Sequence, residues 1–201
     1  MWVVVALWTI ALLLIFFTRK SNYVTVEPKL IDNVITQDDC NYIINLAKFS
    51  PSTTLDGNTD HRTSETAWLP KTDPVARKVL LKACDLTGYT LDHCEELQVV
   101  RYKPGTFYKP HQDSCCDNNG TCRDFTKTLG ERVCTLLVYL NNDFTDGETE
   151  FPNIGKKFKP PPGSGVYWNP KGCDEKVLHA GLPIGQGTKY VCNAWIREKK
   201  Y

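Results

Sequence analysis

The chain lacks an excess of charge of either sign: 24 lysines and arginines face 23 aspartates and glutamates across 201 residues, for a formal net charge of +1. A protein that tracks a nucleic-acid backbone, or clings to an anionic membrane face through basic clusters, carries a one-sided field. The balance speaks against a nucleic-acid partner. The sequence also has no C-x-x-C pair, and no histidine beside its cysteine-rich stretch completes a four-ligand zinc set. It shows no internal repeat. Neither a basic n-region nor a small-x-small cleavage site flanks its one long apolar run, which disfavours a cleaved secretory signal.

That run opens the chain. Residues 2–17, WVVVALWTIALLLIFF, carry no charge and lead into Arg19 and Lys20. At about 1.5 Å per helical residue it sits at the short end of what spans a bilayer, and being apolar all round it reads as a membrane helix, with a buried core helix as the competing reading. We therefore expect an uncleaved anchor over residues 1–20, a linker over 21–29 and one domain over 30–201, a length that buries a single sizeable core. The two charges after the run would keep that domain cytoplasmic. Nine cysteines (40, 84, 94, 115, 116, 122, 134, 173 and 192) point instead to an oxidising lumen. The expectation is a single-pass membrane protein of the endoplasmic reticulum with a lumenal domain.

The cysteines divide by context. Cys134 and Cys192 lie in apolar, strand-like runs and read as reduced core residues. Cys115, Cys116 and Cys122 crowd the polar stretch DSCCDNNGTCRD, where a disulfide is favoured over zinc. An odd total leaves at least one thiol free or paired elsewhere. Asn119-Gly120-Thr121 is a glycosylation sequon.

Periodicity gives the fold class. Thr36 and Asp39 resemble a capping box before Cys40, Ile43, Ile44 and Ala47, which predicts a helix over 37–48. Asp73 caps a second helix with Pro74 in its first turn, Val75, Val79, Ala83 and Leu86 on one face, and Gly88 at its end. Residues 50–61 have the composition of a mobile loop. From residue 97 the pattern turns extended: LQVVRY, RVCTLLVYL, TEFP, SGVYWN, KVLHAG and KYVCNAWIRE are separated by Gly, Pro, Asn and Asp. The class is α+β, mainly β, a sandwich or jelly roll with helices on its outside.

The chemistry gathers in YKPHQDSCC, residues 108–116. In an extended segment positions i and i+2 share a face, so His111 and Asp113 can reach one ion while Gln112 faces away. His179, on a late strand, supplies a second imidazole. Two imidazoles and a carboxylate leave three adjacent positions open on octahedral iron(II), room for a chelating cosubstrate and oxygen together. Lys189 follows ten residues later, on a strand whose alternate positions Val191, Asn193 and Trp195 share its face. A lysine pointing into a barrel is heavily desolvated unless an anion meets it, and a dicarboxylate would.

Three stretches, LQVVRYKPGTFYKPHQD, RVCTLLVYLNNDFTDGETEFP and LHAGLPIGQGTKYVCNAWI, together resemble the iron(II)- and 2-oxoglutarate-dependent dioxygenases of the prolyl 4-hydroxylase family, over about residues 30–198. RTSETAWL, at 62–69, resembles that family's substrate-side segment, and the short anchored chain is similar to its single-chain plant, algal and viral members. The resemblance implies a double-stranded β-helix in which His111, Asp113 and His179 hold Fe(II) as the catalytic set. It implies that Lys189 pairs with the distal carboxylate of 2-oxoglutarate and that Tyr102 and Thr149 donate further hydrogen bonds. Tyr139 is either an additional contact or ordinary core packing. Arg62, Ser64, Glu95, Tyr108, Arg132 and Trp195 match positions that contact the peptide. The implied cosubstrates are 2-oxoglutarate and O2, the implied reductant L-ascorbate, and the implied partner a proline-rich peptide or protein, whose polyproline II form docks at little entropic cost.

Loops 50–61 and 114–131 would close over it, the second stapled by its cysteines. The chain departs from the family at Asp146, where a second glycine is common, and at Leu182, where a cysteine is frequent. Two rivals stand beside this expectation: an oxygenase of the same fold acting on lysine or a nucleobase, and a catalytically silent peptide-binding module.

Overall fold

The computed structural model describes residues 27–54, 60–116 and 120–201. The apolar run at 2–17 and the sequon asparagine lie outside the described residues. Among the described residues no helix is long and apolar enough to cross a membrane.

In chain order come β1 (Lys29–Ile31), α1 (Gln37–Leu46), β2 (Ser50–Pro51), β3 (Glu65–Leu69), α2 (Pro74–Thr87), β4 (Leu97–Tyr102) and β5 (Tyr108–His111). Helix α3 (Gly120–Leu129) precedes β6 (Arg132–Tyr139), β7 (Phe144–Asp146), β8 (Thr149–Phe151), β9 (Lys156–Phe158), β10 (Gly165–Trp168), β11 (His179–Gly181), β12 (Ile184–Gly187) and β13 (Lys189–Arg197). The helix ends follow their local chemistry. Thr36 and Asp39 form the full reciprocal capping box of α1. Asp73 accepts from the amides of Val75 and Ala76 at the start of α2, and Gly88, at φ 77°, takes the left-handed turn that ends it.

Seven strands form one antiparallel sheet in the order β1-β10-β6-β13-β4-β3-β2, and four form another, β5-β11-β8-β9. The large sheet is buried on both faces because its central strands alternate two sets of side chains. Cys134, Leu136, Val138, Cys192, Ala194 and Ile196 pack with Leu97 and Val99 against the buried stripes of α1 and α2. Leu137, Tyr139, Val191, Val100 and Tyr102 face the other way and meet Phe151 and Phe158 of the small sheet. The result is the expected jelly-roll sandwich, with α1 and α2 on one outer face.

Three local expectations are corrected. Residues 114–131 are not wholly a loop, since they contain α3. Residues 50–61 begin with β2, whose Ser50 pairs with Thr66 of β3. KVLHAG is extended only from His179 onward, because Glu175–Val177 forms a 3-10 turn capped by Asp174. The cysteine loop is stapled twice: Cys115 to Cys122 within the loop, and Cys116 to Cys173 far along the chain. Cys134 and Cys192 are free and buried, as their apolar runs suggest.

Candidate active site

The sandwich opens at one end into a cavity of about 590 Å3. Antiparallel pairing of β11 with β5 puts His179 directly opposite His111. Asp113 is not on the strand but in a bend just after it, a correction to the expected i, i+2 extended geometry. The bend still turns its carboxylate inward. His111 Nε2 lies 4.0 Å from Asp113 Oδ1, and His179 Nε2 lies 3.8 Å from Oδ2. One ligand atom from each of the three residues falls within 4.8 Å of the others, a set able to hold a metal ion.

The far side of each ring is already committed. His111 Nδ1 meets the Lys109 carbonyl at 2.8 Å, and His179 Nδ1 meets that of Val177 at 3.0 Å. Donation there fixes the tautomer and leaves each Nε2 lone pair for a cation. Burial, followed by the neighbouring His179, holds His111 well below the usual imidazole range. Burial pushes the Asp113 carboxyl up, but His179, Arg132, His111 and the Thr135 hydroxyl outweigh it and keep it ionised. Ring orientation is set by packing as well. Arg62 covers Tyr108, Tyr108 stacks on His111 with centroids 3.5 Å apart, and Trp168 meets His179 edge-on.

Lys189 lies deeper, 2% exposed, in register with Tyr102 across the β13–β4 ladder. Its ammonium donates to the Gly147 carbonyl at 2.7 Å and makes no ion pair among the described residues. Burial lowers it from 10.5 to about 7, with Glu148 opposing and Lys159 adding to the fall. Thr149 is on the cavity wall, but Tyr139 is behind it. The Tyr139 hydroxyl is shared among the Thr149 hydroxyl at 2.8 Å, the Thr149 amide at 3.0 Å and the Phe158 carbonyl at 2.9 Å. This corrects the alternative of a direct contact: Tyr139 positions Thr149.

The remaining candidates fall in two groups around the mouth. Glu95, 3% exposed, accepts two hydrogen bonds from Arg132, at 2.7 and 2.9 Å, and one from Arg197 at 2.6 Å. Burial raises its carboxyl, but the two guanidinium groups overcome that and hold it below its ordinary value. The Arg132 guanidinium carbon sits over the Trp195 ring, 3.6 Å from its centroid. On the opposite side Arg62 donates to the Ser64 hydroxyl at 2.8 Å. Ser64 is not on the cavity wall, so it buttresses Arg62 where a peptide contact was expected.

Sequence reasoning passed over several residues. Thr135 donates to Asp113 Oδ2 at 2.7 Å, and its one signal was a polar side chain inside an apolar strand. Trp68, 47% exposed, extends the aromatic wall beyond Trp195 at a centroid distance of 6.2 Å. Gln112, expected to face away, lines the cavity instead, and its Oε1, like the Nε1 atoms of Trp168 and the anticipated Trp195, is buried with no partner among the described residues. Such atoms are rarely left unmet in a native protein, so water or a polar ligand is expected to meet them.

Comparison with known proteins fits this geometry. Residues 97–197 match the 2OG-Fe(II) oxygenase superfamily. A protein of Acanthamoeba polyphaga mimivirus, named by inference a prolyl 4-hydroxylase, is 37% identical over 183 residues, covering 87% of this chain and 76% of its own. The chain belongs to the 2OG-Fe(II) oxygenase superfamily. The oxygenase is also 32% identical over 191 residues to the human prolyl 4-hydroxylase subunit alpha-1, covering 86% of this chain but 35% of that subunit. It therefore spans about a third of the length of the animal subunits it matches. Among solved structures, the viral collagen prolyl hydroxylase of Paramecium Bursaria Chlorella virus-1, in a 2OG complex, superimposes with a TM-score of 0.67 at 29% identity, covering 86% of this chain and 96% of that one.

The residues present fit the family's cofactors. The three donors are the two nitrogens and one carboxylate that suit non-haem iron(II). A buried ammonium without a counter-ion stands ready for an anion.

Proposed function

We propose that this oxygenase hydroxylates peptidyl proline, with Fe(II) on His111, Asp113 and His179 and 2-oxoglutarate anchored by Lys189, Tyr102 and Thr149. One observation carries the assignment. Lys189 is a buried ammonium that meets a neutral carbonyl and two tyrosine rings but no carboxylate among the described residues, and it lines the same cavity as the three metal donors. With both groups bound, O2 activation coupled to oxidative decarboxylation of 2-oxoglutarate supplies the oxidising power, and succinate and CO2 leave. The protein's own part is orientation and exclusion of water. Lys189 neutralises the distal carboxylate, Thr149 is held by Tyr139, and the aromatic sides of Tyr108, Trp195 and Trp68 suit the flat rings of a polyproline II segment. Arg62 and the Arg132–Glu95 pair offer hydrogen bonds to that segment's backbone.

The anchor at 2–17, a lumenal domain and reliance on L-ascorbate belong to the same proposal. Two disulfides support an oxidising compartment. Near-zero net charge disfavours a nucleic-acid substrate.

The test is incubation of the purified protein with Fe(II), 2-oxoglutarate, ascorbate and proline-rich peptides, reading succinate and a peptide mass gain of one oxygen atom on proline. Succinate that rises only with lysine peptides would favour a lysyl oxygenase of the same fold. Absence of turnover with every peptide, despite peptide binding, would favour a silent binding module.

A further inference from the structure

We propose that the Cys116–Cys173 disulfide is a positioning element of the metal centre, so that the site grips its ion firmly only in the oxidised protein. This rests on the iron-oxygenase assignment above. The bond joins positions 57 apart in sequence. Cys116 lies just beyond Asp113, and Cys173 shortly precedes His179. It therefore ties together the two segments that carry the metal donors.

Strand pairing fixes His111 against His179 but stops there, and Asp113 sits in a bend outside any ladder. Side-chain chemistry anchors that bend. Gln112, beside Asp113, donates from Nε2 to the Asp174 carbonyl at 3.1 Å, and Asp174 is the neighbour of Cys173. A covalent strap and a hydrogen-bonded strap thus run in parallel between the same two segments. On the far side the tie continues as a short lever. Asp174 Oδ1 accepts from the Lys176 amide at 2.8 Å, closing the 3-10 turn Glu175–Val177. Val177 is fully buried, and its carbonyl orients the His179 ring. Movement at Cys173 would pass directly to that carbonyl.

The backbone agrees. Cys173 holds φ 55° directly after Gly172 at φ 84°, a region that a non-glycine residue occupies only when its surroundings hold it there. The other disulfide, Cys115–Cys122, spans seven residues and ties the bend to α3, without reaching the His179 segment. Cys116 is exposed, so a reductant can reach it. A dithiol would hand the cystine an electron pair and two protons, leaving two protein thiols and an oxidised reductant.

The test is anaerobic calorimetric titration with Mn(II) and with Fe(II), in the presence of 2-oxoglutarate. It compares oxidised protein, protein reduced with a dithiol, and the C116S/C173S and C115S/C122S double variants, each checked by circular dichroism and thermal unfolding. Reduction and C116S/C173S should weaken metal binding roughly tenfold to a hundredfold, the scale seen when groups behind metal ligands are lost, while circular dichroism holds and C115S/C122S binds as the oxidised protein does. A C116S/C173G variant, which relieves the left-handed backbone, covers a failure of serine to fold at 173 and should also bind weakly. Equal metal affinity in folded oxidised and reduced protein, with only a lower melting temperature, would overturn the inference. Equal losses from both disulfides would do the same. If the oxidised protein binds neither ion, the oxygenase assignment falls and this inference falls with it.

Discussion

Thr135 Oγ1 donates a 2.7 Å hydrogen bond to Asp113 Oδ2 from a fully buried position on β6, directly across the ladder from Trp195. The bend after β5 has no ladder of its own, so this hydroxyl is what turns the carboxylate toward the two imidazoles. Thr135→Val keeps the shape and removes the donor. Metal affinity should fall roughly tenfold with the fold retained, while Thr135→Ser, which keeps the hydroxyl, should stay close to wild type. Anaerobic Mn(II) titration reads both, and an unchanged T135V affinity would show that the disulfide and Gln112 suffice without the hydroxyl.

Glu95 pairs with Arg132 Nε at 2.7 Å and with Arg197 Nε at 2.6 Å. Deleting it leaves two guanidinium groups buried side by side, and breaking such a pair costs about 3–5 kcal/mol. Glu95→Ala should therefore lower the urea midpoint sharply, even before peptide turnover is measured. Arg197→Met should be milder, because it leaves the two-toothed Arg132 pairing intact. Similar losses in both variants would mean that Arg197, not the carboxylate, organises this wall.

Asp146 holds φ 57°, in the left-handed region, at the end of β7. The backbone therefore keeps a glycine-like turn and forces an L side chain into it. Asp146→Gly should stabilise the fold by about 0.5–1 kcal/mol, since the relief of left-handed strain outweighs the added chain entropy. A melting temperature that falls instead would show that the Asp146 side chain contributes something the turn does not explain.

Much of this was legible in the linear sequence, for reasons that differ by residue. Caps and strand alternation are local, so Thr36, Asp73, Gly88 and the pocket-facing row Lys189, Val191, Asn193 and Trp195 could be read directly. Helix α3 is hidden in the sequence because its segment has the polar composition of a loop. The Cys116–Cys173 bond was hidden because cysteine pairing depends on which loops the sheets bring together. Sequence carries no depth: Ser64, expected to contact the peptide, and Tyr139, read as either a contact or core packing, each lie behind the residue they support, Arg62 and Thr149. Arg197 carries no signal in the sequence, because its partner Glu95 lies 102 residues away.

Lys189 gives the prediction with a pH axis. Its ammonium, lowered by burial to about 7, would stand near 10.5 in the unfolded chain. Between those values the unfolded chain holds a proton that the folded protein has released, so stability rises with pH across that window. Below it, folding bears the full desolvation of a charged lysine. A bound dicarboxylate reverses the preference, because it stabilises the ammonium. Binding 2-oxoglutarate above neutral pH should therefore take up a proton, and the apparent KM for it should climb as pH rises through about 7. Calorimetry in buffers of different ionisation enthalpy measures that uptake. Lys189→Met should abolish it and weaken cosubstrate binding on the order of a hundredfold or more, the effect of removing one member of a buried charge pair. The same variant should be more stable than wild type at acidic pH, where methionine has no charge to desolvate. Cosubstrate affinity that stays flat from neutral to mildly alkaline pH, with no proton exchanged, would mean that the distal carboxylate is held by something other than Lys189.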